Sequence, residues 1–119
     1  MYVCGPTVYD FLHVGNFRGP VFFNLVRNWL EYRRYNVKYA YNYTDVDDKI
    51  IQRAQKDGVS SMEISERYIR EFEHDFNSLK LRKHSYNPKV TEFIDPIIDF
   101  IGELIKNKKA YAVDGDVYF

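Results

Sequence analysis

One cysteine, Cys4, and one of three histidines, His13, fall in the same short stretch, YVCGPTVYDFLHVGN, together with Gly5, Thr7, Gly15 and Asn16. A glycine-bearing turn that feeds a helix N-terminus offers free backbone N–H groups and a positive dipole end, which together suit a phosphate. His13 could donate a hydrogen bond to a phosphoryl oxygen as charge develops there. Gly15 would let a flat base or a ribose approach the backbone closely. The plain alternative is a loop that does no more than lead into a helix, since a His-x-Gly-Asn tetrad is short.

Cys4 also has two readings. It can pack as a small hydrophobe at the end of a strand, or it can ligate a metal. A thiolate zinc site takes about three or four ligands, and neither His74 nor His84 stands at a ligand-like spacing from Cys4. A metal on Cys4 would therefore take its other ligands from outside this segment. A second cluster, TDVDD, carries Thr44, Asp45, Asp47 and Asp48. Acids in a first helical turn complement the macrodipole, whereas Thr44 and Asp45 at a strand end could face a bound amine or hydroxyl. His74 and His84 read as surface residues, and the mixed charges over 63–75 as a solvated helix face.

The elements that would position these residues follow from periodicity. MYVCG reads as a buried strand closed by glycine. The helix over 21–32 places Phe22, Leu25, Val26, Trp29 and Leu30 on one apolar face, with Asn16 capping its start and Pro20 in its first turn. The strand over 36–44 alternates Val37, Tyr39, Tyr41 and Tyr43. Strand, helix and strand make a parallel crossover unit.

A short helix then runs to Gly58, and a longer one opens on the capping pair Ser60 and Glu63. That longer helix points Met62, Ser65, Ile69, Phe72, Phe76 and Leu79 inward. Asp95–Pro96 reads as an N-cap and first helical residue, with Ile97, Ile98, Ile101 and Leu104 buried behind it. Asp114–Gly115 marks a β-hairpin. The expected fold is α/β: the first half of a Rossmann-like (HUP-type) parallel sheet with flanking helices and a C-terminal hairpin. Ligands in such sheets sit beyond the carboxyl ends of the strands, where residues 4–16 and 44–48 lie.

Composition bounds the function. The 17 basic and 17 acidic residues cancel, so this segment alone lacks the basic footprint of broad phosphate-driven nucleic-acid binding. No window approaches the roughly 20 apolar residues of a membrane span. The opening residues do not read as a basic-then-apolar leader, and a single cysteine suits a reducing cytosolic setting. The expectation is one soluble intracellular domain. Because DGDVYF stops within a strand-like run, the chain is expected to be a piece of something longer.

Taken together, MYVCGPTVYDFLHVGN, NYTDVDDKII, ISERYI and DGDVYF resemble the cysteinyl-tRNA synthetase family, in its order and spacing and across the whole of 1–119. The resemblance implies the N-terminal part of a class I aminoacyl-tRNA synthetase catalytic domain. Such a ligase, cytoplasmic and forming carbon–oxygen bonds, activates cysteine with ATP and Mg2+ and passes it to tRNA(Cys). His13, Val14, Gly15 and Asn16 match the HIGH signature, with Asn16 where its last histidine usually stands. By that match His13 and Asn16 would be catalytic and, with Gly15, would bind ATP.

Cys4 matches a zinc ligand of the family, where the metal takes the substrate thiolate. Cys4, Gly5, Thr7, Thr44 and Asp45 match positions around the cysteine pocket. Zinc selection makes chemical sense. Packing separates cysteine from the near-isosteric serine by only about 1–3 kcal/mol, while a soft thiolate is distinguished from a hydroxyl by bond chemistry. The resemblance further implies one partial domain over 1–119, with 110–119 beginning an insertion between the Rossmann halves. The remaining zinc ligands, the KMSKS loop and the main tRNA contacts would lie outside the segment, which alone would be inactive. Two other readings stay open: a ligase that joins cysteine to an amino sugar, and a non-catalytic paralogue used for binding only.

Overall fold

Three tyrosines at alternate positions set the centre of the fold. Tyr39, Tyr41 and Tyr43 are all buried, as their spacing predicts, in a computed structural model that describes residues 1–119. Strand β1 (Tyr2–Val3) runs parallel to β2 (Ala40–Tyr41), with Tyr2 opposite Ala40 and Val3 opposite Tyr41. The regular strands are shorter than their apolar runs because Gly5 and Pro6 interrupt the first, and a proline cannot donate to a ladder. Beyond that break the two segments meet again at a single bridge, Thr7 to Thr44. On the other side, Ala40 and Tyr43 bridge in parallel to Tyr86 and Lys89.

Helix α1 (Val14–Tyr32) starts three residues before the start that an Asn16 cap would give, and its N-cap is His13. Asn16 contributes from the third helical position rather than as the cap, and Pro20 lies inside the helix. The expected inward stripe is also corrected. Phe22, Leu25 and Trp29 are exposed, while Phe17, Pro20 and Arg27 are buried. The helix is seated by Phe17, stacked on Phe72 at 5.5 Å, and by Arg27, whose Nη1 donates to the Lys83 carbonyl at 2.7 Å.

Helix α2 (Asp48–Asp57) is closed by Gly58 in the left-handed region, as its sequence predicts, and its N-cap is Asp47, which the sequence reading placed among the acids of the first turn. Helix α3 (Ser61–Ser78) is capped by Ser60, whose hydroxyl accepts the Glu63 N–H. Its buried seam is Ile64, Tyr68, Phe72 and Phe76, with Ser65 and Ile69 beside it. Met62 and Leu79 are exposed instead of inward, because the face that meets Ile50 and Ala54 of α2 follows a strict four-residue step. Each large apolar side chain buried there stabilises by roughly 1.5–3 kcal/mol.

A 3₁₀ turn (Val90–Phe93) precedes α4 (Ile94–Lys106), so Asp95 and Pro96 sit inside its first turn and Phe93 is the N-cap. No residue of α4 is buried: Ile97 and Ile98 are exposed, and Ile101 and Leu104 are half-buried. The hairpin pairs β3 (Tyr111–Val113) with β4 (Asp116–Tyr118). It turns on Asp114 and Gly115 at φ 50° and 94°, as a type I′ turn requires. The architecture is thus mixed α/β, with a short parallel pair and a terminal antiparallel hairpin. No helix is long and apolar enough to cross a membrane.

Candidate functional site

The Thr7–Thr44 bridge brings the two suspected segments together. Val8 N–H donates to the Thr44 carbonyl at 3.2 Å, and Thr44 N–H to the Pro6 carbonyl at 3.1 Å. Gly5 is packed so tightly beside them that a Cβ would lie 1.6 Å from the Asn42 carbonyl oxygen. No side chain fits that approach, which explains the glycine. Cys4, next to it, is exposed, so its reading as a core hydrophobe is corrected. Its thiol reaches only the Gly5 carbonyl, at 3.8 Å.

No three His, Cys, Asp or Glu side chains converge as a metal site. By its chemistry the free, exposed Cys4 thiol fits one ligand position of a zinc centre. This chain does not assemble the rest.

His13 and Asn16 are linked through a reciprocal cap. The Gly15 N–H donates to His13 Nδ1 at 3.0 Å, and the His13 N–H donates to Asn16 Oδ1 at 3.0 Å. Because Nδ1 accepts, the neutral ring carries its proton on Nε2; because Oδ1 is engaged, Asn16 offers its amide hydrogens. Both residues thus keep donors outside the cap at the helix N-terminus, whose own N–H groups add to an anion-favouring field. Gly15 has no Cβ to crowd the ring, which would come within 2.8 Å of it.

These donors open on a cavity of about 250 Å³ lined by Pro6, Thr7, Tyr9, Asp10, Phe11, Leu12, His13, Asn16 and Lys49. The Lys49 ammonium lies 5.5 Å over the Tyr9 ring and supplies a cation to the same cleft. Sequence reading missed Lys49, although its place right after TDVDD, at the start of a helix beside the strand end, was the available signal. It also missed Arg53. That side chain ties the loop residue Asp10 (3.0 Å) to Asp57 (2.9 Å) and to the Tyr68 hydroxyl (2.7 Å).

Asp45 is buried. One carboxylate oxygen accepts the Thr91 N–H at 3.0 Å and the other accepts the Thr91 hydroxyl. It therefore fastens the segment before α4 to the end of β2, and does not line the His13 cavity. Asp47 is spent on its helix cap.

His74 is exposed, as expected, but His84 is not a simple surface residue. It stacks on Tyr41 at 4.6 Å and meets Tyr39 and Phe76 edge-on and tilted. Burial, with help from the Arg27 charge, pushes its pKa down to about 4. Burial likewise pushes Tyr41 up to about 12 and raises Tyr43 further, with Glu73 adding to the latter.

Comparison with known proteins sharpens the reading. Residues 1–119 match the family described as tRNA synthetases class I (C) catalytic domain. A cysteine--tRNA ligase of Bdellovibrio bacteriovorus is 62% identical over 119 residues, which is all of this chain and 25% of that protein. A cysteine--tRNA ligase of Lactococcus lactis subsp. cremoris is 55% identical over the same 119 residues, 27% of its length. The chain thus spans about a quarter of the length of the curated relatives it matches.

Proposed function

The chain belongs to the class I (C) tRNA synthetase catalytic-domain family, and from that premise we propose that it supplies the ATP and cysteine half-site of a cysteine--tRNA ligase. The observation that carries the proposal is the His13–Asn16 cap, which satisfies Nδ1 and Oδ1 internally and leaves both side chains as donors beside Lys49. That arrangement suits a polyphosphate that changes charge during reaction.

In the reaction, a cysteine carboxylate oxygen attacks the α-phosphorus of the ATP–Mg2+ complex and pyrophosphate leaves. A terminal ribose hydroxyl of tRNA(Cys) then attacks the adenylate carbonyl, forming the ester and releasing AMP. No covalent enzyme intermediate is needed. The protein contributes position and charge stabilisation: His13 and Asn16 toward the phosphates, Gly15 toward the adenosine, and Gly5, Thr7 and Thr44 toward the amino acid. Asp45 shapes that pocket from behind by holding Thr91. Cys4 would be one ligand of a zinc whose open position prefers thiolate to hydroxyl, the other ligands coming from outside these residues.

The parallel pair β1–β2 is read as the opening half of a Rossmann-like sheet. Residues 1–119 then form one partial domain, with the hairpin starting the insertion between its halves, in a cytoplasmic enzyme. Cysteine-dependent exchange of pyrophosphate into ATP, followed by charging of tRNA(Cys), tests this in a full-length protein carrying the segment. Exchange with transfer to an amino sugar instead of tRNA would favour the related ligase. ATP binding without exchange would leave a binding paralogue.

A further inference from the structure

One buried polar side chain stands between Tyr41 and Tyr43 and has no part in the roles above. Asn42 is 8% exposed, and both ends of its amide are engaged. Its Oδ1 accepts the Gly5 N–H at 2.9 Å and the Tyr2 hydroxyl at 3.0 Å. Its Nδ2 donates to Thr44 Oγ1 at 3.3 Å. Its own backbone carbonyl is the atom against which Gly5 is packed. One residue therefore holds the Cys4–Gly5 loop from one side and the Thr44 hydroxyl from the other. A buried amide satisfied in this way is costly to leave half-paired.

We propose that Asn42 is a positioning residue for the amino acid substrate. It fixes the spacing between the Gly5 backbone and Thr44, and it sets the direction of the Thr44 hydroxyl. Because Oγ1 accepts from Asn42, the Thr44 proton is left free to donate outward, to an acceptor oxygen of the bound amino acid. The proposal rests on the reading of residues 4–7 and Thr44 as the cysteine side of the site. It makes no demand on the ATP side, since Asn42 lies outside the His13 cavity.

The test is steady-state pyrophosphate exchange by the full-length protein, with KM for cysteine and for ATP measured separately. Asn42→Asp keeps an acceptor for Gly5 and Tyr2 but draws the Thr44 proton toward itself. It should raise KM for cysteine about tenfold, the worth of one well-placed hydrogen bond, and leave KM for ATP unchanged. Asn42→Ala should raise it further by freeing the loop as well. In a Thr44→Val background, Asn42→Asp should add little, because the hydroxyl it misdirects is gone.

Equal rises in both KM values, an unchanged KM for cysteine, or full additivity with Thr44→Val would overturn the proposal. Should Asn42→Ala fail to fold, the Asp variant and its cycle with Thr44→Val still decide. A wild-type protein with no cysteine-dependent exchange would overturn the ligase reading, and the proposal with it. Normal wild-type exchange with unselective variants would overturn the Asn42 role alone.

Discussion

The imidazole of His13 accepts the backbone N–H of Gly15 at 3.0 Å through Nδ1. A single side chain therefore caps α1 through Nδ1, keeps its other ring nitrogen out of the cap, and lines the cavity. The two duties can be separated. Asparagine is a good N-cap but cannot project a donor as far as Nε2. His13→Asn should hold the unfolding temperature and lower the rate of adenylate formation by about 10²–10³, the range for losing one oxyanion donor. His13→Ala should show the same rate loss together with about 1 kcal/mol of lost helix capping. Pre-steady-state activation and thermal melts on both variants of a full-length protein carrying the segment check this. An Asn variant that melts early and reacts normally would reverse the assignment.

Gly5 has the least room for a side chain of the six glycines. An added Cβ would lie 1.6 Å from the Asn42 carbonyl oxygen, a backbone atom that cannot swing aside. Gly5→Ala should push the Cys4–Thr7 loop off β2, cost at least the 1–3 kcal/mol typical of overpacking, and abolish detectable cysteine binding. Differential scanning fluorimetry reads the first effect and cysteine titration the second. Gly19, with open space where its Cβ would stand, is the matched control and should accept alanine with little change.

What the sequence made legible were features set by local chemistry. Gly58 closes α2, Ser60 opens α3, and Asp114–Gly115 turns the hairpin. The tyrosine alternation also predicted burial, since Tyr39, Tyr41 and Tyr43 share one face of the strand. Features that depend on what packs where were misread. Phe22, Leu25 and Trp29 form an apolar stripe, but period alone says nothing of what covers it, and here they are exposed. The start of α1 was misplaced because histidine is an uncommon cap, and only the Nδ1 geometry reveals it. Asn42 drew no notice in the sequence, because its contacts with Tyr2 and Gly5 join residues 40 and 37 positions apart.

Arg53 links the loop before His13 to the helical layer through Asp10, Asp57 and Tyr68. Arg53 is half-buried, but both of its ion pairs still reach solvent, where such pairs contribute little, so Arg53→Met should lower the melt only slightly. Its effect should fall on order in the loop: a few-fold rise in KM for ATP with KM for cysteine unaffected. Asp10→Asn should reproduce it, because it removes the charge of the same pair. A loss of stability without an ATP effect would make Arg53 purely structural.

His84 predicts an acid-sensitive core. Asn87 Nδ2 approaches its Nδ1 at 3.1 Å and also faces the Tyr41 carbonyl at 2.8 Å. The ring nitrogen therefore accepts, and protonating it would set one N–H against another. Burial among Tyr39, Tyr41 and Phe76, then the Arg27 charge, lowers the folded pKa to about 4 from an ordinary 6.5. Between those values the unfolded chain binds the proton and the folded chain does not, so stability rises with pH across that window. The contribution is complete above pH 6.5 and is lost as pH falls toward 4. NMR titration of the His84 ring in the full-length protein should give the depressed midpoint, and urea midpoints should fall over the same interval. His84→Phe keeps the aromatic stack without a titrating nitrogen and should flatten that acid limb; a limb unchanged in the variant would assign the acid sensitivity to other groups.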